Sequence, residues 1–146
     1  MSIPINTEAL NKGILTGGCL CGAVRYQVIN EFSHFFLCHC KQCQQLTGSA
    51  FAANIFTSPK NIQWVMGNDK ISCYEHPSRE FSKGFCSVCG SALPFINQSG
   101  KSLIIPAGSL FDKVENIPEA NIFVNEQAHW LNAGLAAKKS SHFPNK

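Results

Sequence analysis

The placement of the cysteines constrains this chain more than any other feature. Seven of its eight cysteines fall into three short groups. In chain order these are Cys19-Leu-Cys21, Cys38-His-Cys40-Lys-Gln-Cys43 and Cys86-Ser-Val-Cys89. Neighbours this close cannot all pair locally in disulfides, whereas both spacings suit sulfur ligands of a common metal ion. The pattern therefore predicts a metal-binding domain.

The N-terminal segment bears on the state of these thiols. "MSIPINTEALNKG" has no basic stretch followed by an apolar one, so we expect no signal peptide. No apolar run approaches the roughly 18 residues that span a bilayer. We therefore expect a cytoplasmic protein without membrane contact. In that reducing compartment, clustered cysteines more often bind metal than form disulfides.

The charge pattern gives no sign of a nucleic-acid partner. The formal net charge is +3, and the basic residues are scattered apart from Lys138 and Lys139. Seven thiolates and two Zn²⁺ ions would together carry a charge of −3, which would cancel the formal charge. We expect no nucleic-acid binding, because no basic patch is visible.

Alternation of apolar and polar residues predicts a mainly β fold with little helix in one domain. In "AVRYQVI", Val24, Tyr26 and Val28 alternate with polar residues, which is typical of a half-buried strand. The one helix candidate is "KQCQQLTG", which would end at Gly48. Short strands separated by Gly- and Pro-containing turns favour a sandwich or folded sheet. Further strands are predicted at 49–57, 62–66, 70–76, 78–85, 91–97, 102–108 and 121–125.

The seven clustered cysteines divide most simply into a set of four ligands and a set of three. In one division, the first and third groups supply the four, and the second group supplies the three. In the other, the pairs Cys40/Cys43 and Cys86/Cys89 form a ribbon-like site. We favour the first division because both of its groups end in Cys-Gly. The glycine after the third group, Gly90, is predicted to take the left-handed conformation that such a turn needs.

The first cysteine group requires a bent backbone. In an extended strand, the Cα atoms of Cys19 and Cys21 would lie roughly 6.6–6.8 Å apart. Sulfur atoms on a tetrahedral zinc ion are only ~3.8 Å apart. Three glycines bracket the pair and are predicted to permit the bend, namely Gly17, Gly18 and Gly22.

Two further side chains are candidates for a chemical role, His39 as a metal ligand and Cys73 as a nucleophile. His39 lies between Cys38 and Cys40, but side chains alternate along an extended segment, so it should point away from both sulfurs. We expect it to be a packed or surface residue and not a ligand. Cys73 stands alone in "ISCYEH" and is expected to be a small buried hydrophobe. If it were instead exposed with a lowered pKa, it could serve as the nucleophile of a redox enzyme.

Three segments carry a resemblance to a known family. "GGCLCGAVRY", "CHCKQCQQLTGSAF" and "FCSVCGSAL" occur in this order, with all seven cysteines in register. Together they resemble the family of glutathione-dependent formaldehyde-activating enzymes, the GFA domain, to which centromere protein V also belongs. "IIPAGSLFD" and "NIFVNEQAHW" are similar to later segments of that family. The resemblance places a zinc-binding domain at 15–132, between an N-terminal extension (1–14) and a C-terminal tail (133–146).

The resemblance implies a β-tent-type fold of folded sheets, shared with methionine-sulfoxide reductase B, and two zinc ions per chain. It implies a structural zinc on Cys19, Cys21, Cys86 and Cys89. It implies a second zinc on Cys38, Cys40 and Cys43. The family activity adds glutathione to formaldehyde to give S-hydroxymethylglutathione, a carbon–sulfur bond-forming reaction classed with the lyases.

The sequence thus predicts a zinc-dependent carbon–sulfur lyase acting on glutathione and a small aldehyde such as formaldehyde, or on a related glutathione conjugate. The three cysteines of the second group would act through their zinc. The alternative is a zinc-stabilised protein-binding module without catalysis.

Substrate contacts are less well marked than metal ligands. Arg25 and Lys41 are candidate partners for the two carboxylates of glutathione, since guanidinium and ammonium groups bind carboxylates. The chain also departs from the family. It carries Gln44, Gln45, Glu126 and Gln127 at positions where members often have basic residues, and these departures concern the substrate more than the metal.

Overall fold

The computed structural model describes residues 11–144. Residues 1–10, which include most of the segment examined for a signal peptide, lie outside this range. The last two residues of the predicted tail also lie outside it. Within the described residues, eleven strands form three sheets. Their bounds are Ile14–Gly18 (β1), Arg25–Ile29 (β2), His34–Cys38 (β3), Ala52–Thr57 (β4), Ile62–Met66 (β5), Ile71–Glu75 (β6), Ser82–Cys86 (β7), Ala92–Leu93 (β8), Phe95–Ile96 (β9), Leu103–Pro106 (β10) and Ala120–Ile122 (β11).

Helix is confined to short segments. Two α-helices are described, Lys41–Thr47 (α1) and Leu131–Ala136 (α2). Single 3₁₀ turns occupy Pro59–Asn61, Asn68–Lys70, Ala107–Ser109 and Val124–Glu126. The predicted fold class, mainly β with little helix, is confirmed. None of the described helices is long and apolar enough to cross a membrane.

The three sheets have three, five and three strands. The first has the order β1-β2-β5, the second β11-β3-β4-β10-β9, and the third β6-β7-β8. Neighbours are antiparallel throughout, except that β11 runs parallel to β3. The predicted strand at 91–97 is in fact two strands that separate at Pro94. β8 pairs with β7, and β9 pairs with β10. Proline fits such a corner because it has no N–H to donate to a ladder.

The main apolar core lies between the first two sheets. Its buried members come from β2, β4, β5 and β10 and their margins: Tyr26, Val28, Ile55, Ile62, Leu103 and Ile105. Each fully buried side chain of this kind contributes about 1.5–3 kcal/mol relative to exposure. The buried Tyr26 hydroxyl lies 2.6 Å from the Ser109 Oγ, so the polar group in this core has a partner.

Two strands were not predicted from the sequence. β1 was not predicted because its second half is glycine, which leaves no side-chain alternation to detect. β3, "HFFLC", was not predicted because its apolar residues do not alternate with polar ones. It lies between β11 and β4, so neither edge is free. The predicted strand at 78–85 begins only at Ser82, and α2 was not predicted.

Candidate metal centres

The first and third cysteine groups meet in one cluster, which we call the four-cysteine cluster: Cys19, Cys21, Cys86 and Cys89. All four sulfur atoms lie within 4.8 Å of one another. The Cys19 and Cys21 sulfurs are 3.6 Å apart, and those of Cys21 and Cys86 are 3.8 Å apart. These separations match the ~3.8 Å between sulfurs around a tetrahedral zinc ion. The fold therefore brings together the first of the two predicted divisions.

A tight turn after β1 shapes the first half of this cluster. The Cys19 N–H donates to the Val24 carbonyl (3.2 Å), and the Gly22 N–H donates to the Cys19 carbonyl (3.3 Å). Gly22 has φ = 87°, a left-handed conformation that glycine adopts readily. The Val24 N–H also donates to the Cys19 Sγ (3.2 Å). The turn thus folds the backbone around the first sulfur.

The other two glycines in this region have a different role from the predicted one. Gly17 and Gly18 lie in β1 with ordinary φ, so they do not bend the chain. A Cβ on Gly17 would lie 2.4 Å from the Tyr26 ring, and one on Gly18 would lie 2.3 Å from the Val24 carbonyl oxygen. Both residues are needed because neighbouring groups approach their Cα atoms closely.

The third cysteine group forms the second half of the cluster at the end of β7. Gly90 has φ = 78°, as predicted, and its N–H donates to the Cys86 carbonyl (2.8 Å). The Val88 N–H donates to the Cys86 Sγ (3.4 Å). An amide aimed at sulfur stabilises a thiolate, which is the form that binds metal.

The pKa values in this cluster are split. The Ser91 hydroxyl, 3.1 Å from the Cys89 Sγ, lowers the pKa of Cys89 to about 5. Desolvation opposes ionisation of Cys19, but its hydrogen bonds prevail and its pKa is lowered. The Ala23 N–H favours the Cys21 thiolate, but desolvation and the adjacent thiols outweigh it and raise the pKa of Cys21 to about 11. Four thiolates this close require a cation, and the donor set fits zinc.

The second cysteine group forms a three-cysteine cluster at the start of α1. Cys38 ends β3, Cys40 is the N-cap of α1, and Cys43 lies in its first turn. The Cys38 and Cys40 sulfurs are 3.5 Å apart, and the Cys43 N–H donates to the Cys40 Sγ (3.3 Å). All three sulfurs lie within 4.8 Å of one another. The helix ends at its C-cap Gly48, as predicted, and the structure shows Gly48 in the left-handed conformation (φ = 65°).

All three thiols are buried, which matters for their charge. Burial raises the pKa of Cys38 and of Cys43, and the adjacent sulfurs raise the pKa of Cys43 further. Such thiols ionise together only when a cation balances them. Three soft sulfur donors at this spacing fit zinc with one position left.

No fourth ligand completes this cluster within residues 11–144. His39 is only 2% exposed, and its Nε2 lies 2.8 Å from the Asn121 Oδ1. Its ring packs against Phe51, with the ring centroids 5.2 Å apart. His39 is therefore packed, which is one of the two outcomes predicted for it, and it does not belong to the group of three sulfurs.

A cavity of about 310 Å³ opens beside the three-cysteine cluster. It lies between the second and third sheets, and Cys38 and Cys43 form part of its wall. No member of the four-cysteine cluster lines it. The remaining wall comes from α1, β3, β4, the segment 80–84, β8–β10 and β11. The three-cysteine cluster therefore faces a space large enough for a small ligand.

Neither predicted glutathione contact lines this cavity. The Arg25 Nη1 donates to the carbonyls of Cys19 (3.0 Å) and Val24 (2.8 Å), and its guanidinium lies 5.0 Å from the centre of the Phe111 ring. Arg25 therefore lies at the four-cysteine cluster. Lys41 is exposed at the start of α1.

Two of the departures from the family pattern, Gln44 and Glu126, have a structural role. The Glu126 Oε1 accepts the Lys41 backbone N–H (3.1 Å). The Gln44 side-chain amide donates to the carbonyls of His39 (2.8 Å) and Glu126 (2.9 Å). Together they fasten α1 to the 3₁₀ turn at Val124–Glu126. A carboxylate beside the first N–H groups of a helix is also favourable electrostatically.

Sequence reasoning did not place two charged residues that line the cavity, Glu80 and Lys83. The Lys83 ammonium donates to the Leu46 carbonyl in the last turn of α1. Neither residue belongs to a motif that marks it in the sequence. Their direction depends on where β7 begins, and the prediction began that strand four residues early.

Cys73 is exposed, so the expectation of a buried residue is wrong. It lies on β6, an edge strand of the third sheet, opposite Gly84, which has no side chain to cover it. Desolvation, with a smaller contribution from Glu75, raises its pKa. A raised pKa disfavours the thiolate, which argues against Cys73 as a redox nucleophile.

Comparisons with known proteins found similar sequences and a similar fold. The family model described as "Glutathione-dependent formaldehyde-activating enzyme" matches residues 14–126. A protein of Halomonas elongata named "Putative glutathione-dependent formaldehyde-activating enzyme" is 29% identical over 125 residues, which cover 81% of this chain and 80% of that protein. A crystal structure of a Rhodobacter sphaeroides protein shares the fold, with a TM-score of 0.54 and 22% identity over 71% of this chain and 98% of its own. The chain belongs to the family of glutathione-dependent formaldehyde-activating enzymes.

Proposed function

We propose that the protein is a zinc-dependent carbon–sulfur lyase that adds glutathione to a small aldehyde such as formaldehyde, or acts on a related glutathione conjugate. The observation that carries the proposal is the cavity beside the three-cysteine cluster, with Cys38 and Cys43 in its wall. Membership of the family supports the same substrates. The proposed cytoplasmic location would keep both the cysteines and glutathione reduced.

The two clusters would have different roles, one structural and one catalytic. The four-cysteine cluster would hold a structural zinc, because its ligands fill a tetrahedral set. A second zinc on the three-cysteine cluster would leave one position for the substrate thiol and would lower the pKa of that thiol. We expect two zinc ions per chain.

The chain itself would position the reactants. Cys38 and Cys43, which line the cavity, would set where the substrate sulfur lies, and the cavity wall would confine the aldehyde beside it. In the addition, a carbon–sulfur bond forms, the carbonyl π bond breaks, and the thiol proton ends on the new hydroxyl oxygen. Confinement of two reactants is worth several orders of magnitude in effective concentration.

Proposed roles for the peripheral residues follow from their positions. The domain at 15–132 would carry both zinc sites. Arg25 and Lys41 remain predicted contacts for the glutathione carboxylates, and both lie outside the cavity lining. If they act in this way, the peptide part of glutathione lies outside the cavity, with only its sulfur at the cluster.

Catalysis can be tested by exchange NMR with ¹³C-formaldehyde and glutathione. We expect protein carrying two zinc ions to accelerate their interconversion with S-hydroxymethylglutathione at least about 100-fold over buffer, because confinement supplies part of the barrier. Cys73→Ser is the matched control and should act like the wild type. If fully loaded protein gives no acceleration, the catalytic proposal is wrong and a zinc-stabilised binding module becomes the better account.

A further inference from the structure

The cavity is larger than formaldehyde requires. Its volume of about 310 Å³ is twice that of the ~150 Å³ apolar cavities that hold benzene. Formaldehyde has two non-hydrogen atoms and would leave most of this space unused. The remaining volume could therefore hold a group larger than formaldehyde.

The wall of the cavity is mainly apolar. Among its members are four phenylalanines and two aliphatic residues: Phe36, Phe56, Phe81, Phe95, Ile104 and Ile122. Among the described residues that line it, Lys83 is the one cation and Glu80 the one anion. The Lys83 ammonium already donates to the Leu46 carbonyl. This wall offers no pair of cations for the two carboxylates of glutathione, so a charged peptide is a poor occupant.

The apolar wall begins at the sulfur atoms. Ala52, Phe81 and Ile122 pack directly against the three-cysteine cluster. A substituent on the carbon that becomes bonded to the substrate sulfur would therefore meet hydrocarbon at once. Burial of apolar groups in such a site is favourable.

We infer that the cavity holds the alkyl or aryl substituent of an aldehyde larger than formaldehyde, while the glutathione peptide lies outside. The inference rests on the proposed function and names its substrate class. The step is the same addition, thiol plus aldehyde giving a hemithioacetal. The carbon–sulfur bond forms, the thiol proton moves to the carbonyl oxygen, and nothing is oxidised or reduced.

A series of S-alkylglutathiones tests this inference by binding alone. These thioethers place an alkyl chain where the aldehyde substituent would lie. By calorimetry on zinc-loaded protein, each added methylene should tighten binding about 4-fold until the cavity is full. From S-methyl- to S-hexylglutathione we expect a gain of at least about 30-fold.

A cavity-filling variant provides an independent check. Ala92 lies on β8 and lines the cavity, so Ala92→Phe should fill space that the alkyl chain would occupy and remove most of the chain-length preference. Ala133→Phe, at an exposed position on α2, is the matched control and should keep the full preference. Circular dichroism and a count of two zinc ions would verify that both variants fold.

The outcomes separate this inference from the proposed function. Equal affinities along the whole series in the wild type would overturn the inference, even if formaldehyde addition is accelerated. A steep chain-length preference that Ala92→Phe abolishes and Ala133→Phe keeps would support it. If that preference is found but no aldehyde is turned over, the cavity assignment stands and the catalytic proposal fails.

Discussion

Replacement of Cys86 by serine is expected to lower the free energy of unfolding by more than about 4 kcal/mol, or to prevent folding altogether. Cys86 is 1% exposed and packs with Cys19, Val24 and Leu93 in a small core of its own. Its cluster joins the turn after β1, in the first sheet, to the end of β7, in the third. Loss of one ligand would release both ends, because metal-binding free energy at a structural site is folding free energy.

The measurement is urea unfolding of zinc-loaded protein, combined with metal counting by native mass spectrometry. Cys73→Ser is the control, because Cys73 is exposed and belongs to neither cluster. We expect it to stay within about 0.5 kcal/mol of the wild type and to keep two zinc ions. A Cys86→Ser protein with wild-type stability would contradict the structural role of the four-cysteine cluster.

Replacement of Cys38 by serine should have the largest effect on catalysis. We expect one zinc ion per chain instead of two, and a loss of thiol–aldehyde addition of at least about 100-fold. Cys38 ends β3 and lines the cavity, so its loss opens the metal site without detaching one sheet from another. Cooperative unfolding should therefore persist, in contrast to the result for Cys86→Ser.

The assay is the same exchange NMR experiment, with the zinc content of each sample measured in parallel. Cys73→Ser again serves as the control and should retain both metal and activity. If Cys38→Ser keeps full activity, catalysis does not depend on the three-cysteine cluster, whatever its metal content.

The local geometry of the metal clusters could be predicted from sequence because short-range rules determine it. Alternation along an extended segment correctly placed His39 away from the sulfurs. The helix end at Gly48 and the left-handed conformation of Gly90 after a Cys-x-x-Cys turn were likewise predicted. Each of these features depends on residues only a few positions apart.

The cavity could not be predicted, because it depends on how distant segments meet. Three of its phenylalanines come from separate elements: Phe36 from β3, Phe81 from the segment before β7, and Phe95 from β9. Phe95 belongs to the second sheet because the chain passes from one sheet to another at Pro94. The exposure of Cys73 likewise depends on β6 being an edge strand. Strand order is a property of the whole fold, so no local pattern reveals it.

The roles of Gly17 and Gly18 show the same limit on a smaller scale. The glycines beside the first cysteine group were predicted to permit a bend in the backbone. For Gly17 and Gly18 this reason is wrong, because both lie in β1. The groups that exclude a side chain are the Tyr26 ring and the Val24 carbonyl of the neighbouring segment. A close approach of this kind appears only when β1 pairs with β2.

The central claim is that the three-cysteine cluster holds a metal open to thiols while the four-cysteine cluster holds a closed one. Titration of ¹¹³Cd-loaded protein with glutathione, followed by ¹¹³Cd NMR, tests this claim most directly. We predict two resonances, of which glutathione shifts only the one that is missing in Cys38→Ser. Two resonances that both stay fixed at saturating glutathione would contradict the claim, as would a shift confined to the resonance that Cys38→Ser retains.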